Sequence, residues 1–187
     1  MKISMQILGA SMVMSLLSAL PAAAQGVDLS GGYQFERLSC SDCDGTNFPA
    51  GFNIDVSAAV MPKMPDLSVF GQVDWSRRTE EEGAVSGSVK QTVFGGGVRW
   101  SSHKNPKATP FVQGLVGADH RSASVSGAGF SFDDSETKGL VQVGGGVAVP
   151  IRDNCSAVAQ VDYRRVFTED VGTNLVRIVI GVRFKLK

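Results

Sequence analysis

Beyond residue 24 the chain has no apolar run long enough to cross a bilayer as a helix, which takes roughly 20 residues, so no helical anchor is expected in residues 25–187. It also lacks an excess of either charge: 18 Lys and Arg stand against 18 Asp and Glu, with no basic cluster. That balance removes the electrostatic reason to expect a nucleic-acid partner. Cysteine is scarce, at three residues, and no second ligand pair accompanies Cys40 and Cys43 as a zinc site would need. The glycine triplets Gly95-Gly96-Gly97 and Gly144-Gly145-Gly146 sit in strand-like stretches and open no helix, so a phosphate-loop reading fails. Glycine in a narrow barrel relieves crowding and permits curvature instead. No cofactor and no metal are expected.

What is present begins with a basic start at Lys2, an apolar stretch from Ile7 to Leu20 broken by Ser11, Ser15 and Ser18, and Pro21-Ala22-Ala23-Ala24 before Gln25. These are the three parts of a secretory signal peptide. Cleavage after Ala24 is expected, leaving residues 25–187 as one domain. No Cys follows the small-residue triplet, so a lipid-anchored N-terminus is not indicated.

From Val27 onward apolar and polar residues alternate with a period of two, the mark of a strand whose faces meet different surroundings. The last segment is the clearest: Val176, Ile178, Ile180, Val182, Phe184 and Leu186 oppose Arg177, Val179, Gly181, Arg183, Lys185 and Lys187. Seven earlier segments repeat the pattern over roughly ten residues each, the length of a tilted bilayer-crossing strand. Phe70 breaks the polar face of the third, and Phe111 and Leu115 blur that of the fifth. The connections predicted at 61–66, 102–108 and 152–154 are short, whereas those at 39–49, 79–88, 122–136 and 168–172 are longer on balance. Short turns at one end and long polar loops at the other predict an all-β, eight-stranded, antiparallel up-and-down transmembrane β-barrel with both chain ends on the short-turn side.

Alternation alone leaves open which face points inward, and a soluble lipocalin-like binding barrel is the structural rival. Charge decides the expectation. With polar faces inward, Glu36, Asp55, Asp74, Asp119 and Asp162 meet Arg78, Arg99, Arg164, Arg177 and Arg183 in a narrow lumen, and buried charges are tolerable only when paired. The apolar faces carry aromatics near the strand ends: Tyr33, Phe35, Phe52, Trp75, Tyr163 and Phe167 toward the loops, Trp100 and Phe184 toward the turns. Such sorting predicts two interfacial girdles and contact with lipid.

The stretches Leu29-Ser30-Gly31-Gly32-Tyr33, Pro110-Phe111-Val112-Gln113-Gly114, Gly144-Gly145-Gly146-Val147 and Arg177-Ile178-Val179-Ile180-Gly181-Val182-Arg183-Phe184 resemble those of the small outer-membrane β-barrel proteins, which include the OmpA membrane domain, OmpX and the opacity-type proteins. The resemblance covers Val27 to Lys187 and implies a bacterial outer-membrane location, with membrane lipid and the barrel-assembly machinery as partners. Members usually end on an aromatic residue read by that machinery. Here Lys185-Leu186-Lys187 follow Phe184.

Few residues suggest chemistry. Export to an oxidising compartment makes a loop disulfide between Cys40 and Cys43 the first expectation, ahead of a metal site with Asp42 or Asp44. Cys155 lies beside a short turn at the opposite end and is expected to be unpaired within the chain. The resemblance also admits enzymes acting on lipid A, for which His120 with Ser122, Ser124, Asp133, Asp134 and Glu169 is the candidate set. Same-face strand neighbours lie about 6.5 to 7 Å apart, however, beyond nucleophile-base reach. His103, near Lys104 and Lys107, reads as a turn residue. The expected function is therefore non-enzymatic: a structural or surface-interaction role through extracellular loops, above a lumen plugged by a charged network. A narrow porin-like channel and a lipid A-modifying enzyme are the alternatives.

Overall fold

The computed structural model describes residues 26–39, 47–61, 64–82, 85–127, 130–167 and 172–186. The cleavage expected after Ala24, the disulfide expected between Cys40 and Cys43, and Glu169 lie outside the described residues.

A two-residue period leaves each strand with one polar and one apolar face, and closing the sheet on itself separates them completely. Eight strands do so here: β1 (Val27–Ser39), β2 (Asn47–Met61), β3 (Met64–Glu82), β4 (Val85–Ser101), β5 (Thr109–Gly127), β6 (Phe130–Arg152), β7 (Cys155–Val166) and β8 (Thr173–Leu186). Each pairs antiparallel with its sequence neighbour, and β1 closes on β8. The closing register runs from Val27 opposite Leu186 to Ser39 opposite Asn174. No strand edge is left open along the barrel wall, which is what a bilayer demands of a sheet.

The outcome is inside-out relative to a soluble protein. Along β7, Asp162 is 1% exposed and its neighbour Val161 is 54% exposed. On β8, Val176, Ile178, Ile180, Val182, Phe184 and Leu186 all face outward and are exposed, while Arg177 and Val179 are buried. A contiguous apolar surface of this extent marks contact with another apolar phase.

One end carries tight connections. Asp153 and Asn154 alone join β6 to β7, and the Asn154 carbonyl accepts the Lys185 amide at 2.9 Å, holding the end of β8 in place. In the β4–β5 turn the Asn105 side chain accepts the Lys107 amide at 2.9 Å, a local closure typical of Asn in turns. His103 Nδ1 meets Asp66 Oδ1 at 2.8 Å, tying the β4–β5 connection to the start of β3, which begins at Met64 inside the turn expected at 61–66.

The other end departs from the sequence expectation. Most of the stretches expected as loops at 79–88 and 122–136 are strand, with β3–β4 paired as far as Glu82 opposite Val85 and β5–β6 as far as Gly127 opposite Phe130. Likewise β2 starts at Asn47, within the stretch expected as a loop at 39–49. These segments are rich in Ser, Gly and charge, so they read as loop. Above the lipid a strand needs no apolar face, and backbone pairing alone sustains it.

The pairing of β6 with β7 stops at Leu140 opposite Val166, and that of β2 with β3 at Ala50 opposite Arg77. Between these limits β3, β4, β5 and β6 continue as a four-stranded sheet projecting beyond the barrel. Residues 130–138 of β6 extend about 30 Å at roughly 3.3 Å per residue, and have no partner strand on the β7 side among the described residues.

Candidate functional site

The polar faces of all eight strands meet in the lumen. At its centre two arginines and three carboxylates interlock. Arg164 Nη1 donates to Glu36 Oε1 at 2.7 Å and Nη2 to Asp74 Oδ2. Arg177 Nη1 lies 2.8 Å from the other oxygen of Asp74, and its Nη2 donates to Asp162 Oδ2 at 2.6 Å. Glu36, Arg164 and Arg177 are wholly buried. Ions removed from water this completely survive only with near-full compensation.

Glutamines complete the compensation. Gln142 accepts from Arg164 at 3.0 Å, Gln72 donates to Asp74 at 2.9 Å, and Gln160 donates to Asp162 at 2.7 Å. Asn53 donates to Asp74 at 2.8 Å. Gln113 accepts from Arg99 Nε at 2.9 Å while donating to Asp162 at 3.1 Å, joining the central cluster to one nearer the short connections. In that second cluster Arg99 Nη1 donates to Asp55 at 3.1 Å, and Arg183 Nε donates to Ser30 Oγ at 3.1 Å.

Toward the projecting sheet Arg121 donates to Asp119 at 3.0 Å, and Gln91 donates to the same oxygen at 2.9 Å. Arg121 was not among the residues expected from sequence, and parity continued two positions past Asp119 would have found it. Arg78, which was, donates to the Asn47 carbonyl at the rim at 3.4 Å.

The lumen is not purely polar. Phe70, Val93, Leu115, Leu140, Val166 and Leu175 form one buried cluster with Leu38 against it, and Phe111, Ala148 and Val158 form another. Phe70 and Phe111, anomalous on polar faces in the sequence, have a purpose inside. The Arg99 guanidinium lies 4.7 Å from the Phe70 ring centroid and 5.2 Å from that of Phe111. A desolvated guanidinium over an aromatic face is favourable by about 2 kcal/mol. Gly146 makes room for this ring, since a Cβ there falls 2.8 Å from Phe111 Cζ.

On the outer surface Tyr33, Phe52 and Trp75 are register neighbours across three strands, and Phe52 stacks on Trp75 with centroids 5.5 Å apart. Tyr33, Phe52, Trp100, Tyr163, Phe167 and Phe184 are exposed, whereas Phe35 and Trp75 are half-buried. His120 continues the same row, opposite Thr92 and Thr137. Its Nδ1 bonds Thr137 Oγ1 at 2.9 Å, while Ser124 bonds Ser88 at 2.9 Å. Asp133 stands opposite Ser124 and Asp134 opposite Ala123. The structure thus pairs His120 with a threonine and Ser124 with a serine, and brings His120 into hydrogen-bond contact with neither Ser122 nor Ser124 among the described residues.

Cys155 is a free thiol, half-buried beside the β6–β7 turn. Among the described residues no three His, Cys, Asp or Glu side chains converge as metal ligands.

Three comparisons bear on this architecture. The family model for the outer membrane protein beta-barrel domain matches residues 9–184. Among solved structures the chain is similar to Ail, the attachment invasion locus protein of Yersinia pestis, at 23% identity and a TM-score of 0.63, covering 86% of this chain and 98% of that one. It is similar to Neisserial surface protein A at 17% identity and a TM-score of 0.63, over 86% and 97% of the two chains. A major outer membrane protein from Thermus thermophilus matches at 12% identity and a TM-score of 0.62, over 84% and 99%. No curated protein matches in sequence.

Proposed function

The chain belongs to the outer membrane protein β-barrel domain family, and from that premise we propose that it works through what it presents outside the bacterial outer membrane, with its lumen closed to steady conduction. The observation that carries this reading is the four-stranded projection of β3 to β6, whose β6 edge is unpaired over residues 130–138 among the described residues. An open edge is a template for an extended segment of a partner. The projection also carries the exposed side chains of Val125 and Phe132.

The closed lumen is supported by the wholly buried Arg164 and Arg177 and their carboxylates. Opening a water path needs these ions to exchange partners together. Export by a cleaved signal peptide ending at Ala24, assembly by the barrel-assembly machinery, and interfacial seating by the exposed aromatics complete the proposal.

The test compares cells making the full chain with cells making a chain in which residues 122–135 are replaced by a tight turn. Both proteins should show the heat-shifted gel band of a folded barrel. Attachment of cells to protein-coated surfaces and to one another should fall only with the shortened chain; equal attachment would sink the surface-interaction reading. Purified full chain in planar bilayers should give at most rare, small openings, and large stable currents would favour the channel. A His120-dependent change in lipid A mass would favour the enzyme.

A further inference from the structure

We propose that the end of the lumen nearest the short connections is a binding site for a small inorganic anion of the halide kind, held between Arg99 and Arg183. Both side chains converge on one aromatic ring. The Arg99 and Arg183 guanidinium carbons lie 5.2 and 5.0 Å from the Phe111 centroid, although the residues come from opposite walls of the barrel, β4 and β8. Arg99 is 1% and Arg183 9% exposed. Each has a buried Nη2 with no hydrogen-bond partner among the described residues. A buried donor left unpaired costs about 1 to 3 kcal/mol, more when charged, so two of them on side chains that meet at one ring call for an acceptor.

The charges identify its sign. Around Phe111 two guanidiniums share one carboxylate, Asp55, which is already bonded to Arg99 Nη1. Asp28, the other acid whose charge acts on Arg183, stands opposite Lys185 across the β1–β8 pair, so three cations face two carboxylates at this end. The central cluster has the reverse imbalance, with Glu36, Asp74 and Asp162 around Arg164 and Arg177. The lumen is therefore segregated into an anionic centre and a cationic end. Water would satisfy the two orphan donors but leave the like-charge repulsion between Arg99 and Arg183 in place; an anion removes both penalties.

The donors identify its class. Two guanidinium nitrogens are free, and the Ser30 hydroxyl accepts from Arg183 Nε, leaving its own hydrogen to donate. Phe111 and Phe70 form apolar walls. Few donors and a ring wall suit a halide, which has no fixed acceptor geometry, whereas a phosphate presents more oxygens than these groups satisfy.

The experiment replaces chloride with bromide in crystals of the full chain and measures anomalous diffraction at the bromine edge. A bromide peak touching Nη2 of both arginines is expected in the native protein, reduced in Arg183→Lys and absent in Arg183→Gln. An ordered water without anomalous signal overturns the proposal. In solution, broadening of the chloride-35 resonance by the detergent-solubilised barrel should fall at least tenfold in Arg183→Gln, provided the variant keeps its heat-shifted band. Equal broadening by native protein, Arg183→Gln and Ser30→Ala also overturns it.

Discussion

Arg164 of β7 and Glu36 of β1 lie 128 positions apart in sequence, yet their charged atoms meet at 2.7 Å with neither residue exposed to solvent. The contact spans the lumen across the seam where the first and last strands close. Removing one partner leaves an uncompensated buried charge, which costs about 3 to 5 kcal/mol. Glu36→Ala and Arg164→Ala should each lose stability of that order in urea unfolding of the lipid-embedded barrel. The double variant should be less destabilised than the two losses combined; simple additivity would show that the pair is not coupled.

Glycine tolerance should follow the lumen wall. A Cβ at Gly144 falls inside contact distance of the Asp162 carboxylate and of the Val161 backbone carbonyl, whereas one at Gly87 meets nothing within 4 Å. Gly144→Ala should abolish or strongly weaken the heat-shifted band and Gly87→Ala should leave it unchanged. Indistinguishable variants would contradict the close packing described for the lumen.

Arginine placed on the apolar outer face reports the position of the bilayer. Ile180 and Phe132 are both well exposed, at 67% and 64%, but Ile180 lies on the barrel wall and Phe132 on the projection. Ile180→Arg should cost about 2 to 4 kcal/mol if it lies near the bilayer midplane. Phe132→Arg should change folding stability by less than about 0.5 kcal/mol, as for ordinary surface sites. Urea titration in lipid vesicles checks both values.

Cys155 gives the orientation. It is a free thiol beside the β6–β7 turn, so a membrane-impermeant maleimide should modify it after the outer membrane is breached and not in intact cells. Peptide mass mapping separates its label from that of Cys40 and Cys43. Labelling of Cys155 in intact cells would reverse the assignment of the two ends.

The barrel was legible because lipid and lumen impose opposite demands on alternate residues. Val161 beside Asp162, or Ile178 beside Arg177, states the face of its strand directly. The projecting sheet was not legible, since water lies on both sides of it and Ser122, Ser124 and Ser126 alternate with nothing that a bilayer requires. Within the lumen, sequence identified charged residues but could not pair them: Arg164 finds Glu36 and Asp74 through barrel closure, which no local spacing encodes. Phe70, Phe111 and Leu115 looked like errors in the pattern because polarity was taken as the lumen's only requirement. Volume is the other one, and rings fill it while supporting the guanidiniums of Arg99 and Arg183.

Three arginines from the last two strands reach residues of the first: Arg164 to Glu36, Arg177 to Gln34 and Arg183 to Ser30. Until β8 lies against β1 these contacts are absent, and a nascent sheet lying open in the membrane holds ions facing hydrocarbon or trapped water. An incompletely closed barrel is for this reason electrostatically unstable as well as short of backbone pairing. Closure becomes an all-or-none event, and a chain with mismatched end strands is rejected by its own interior.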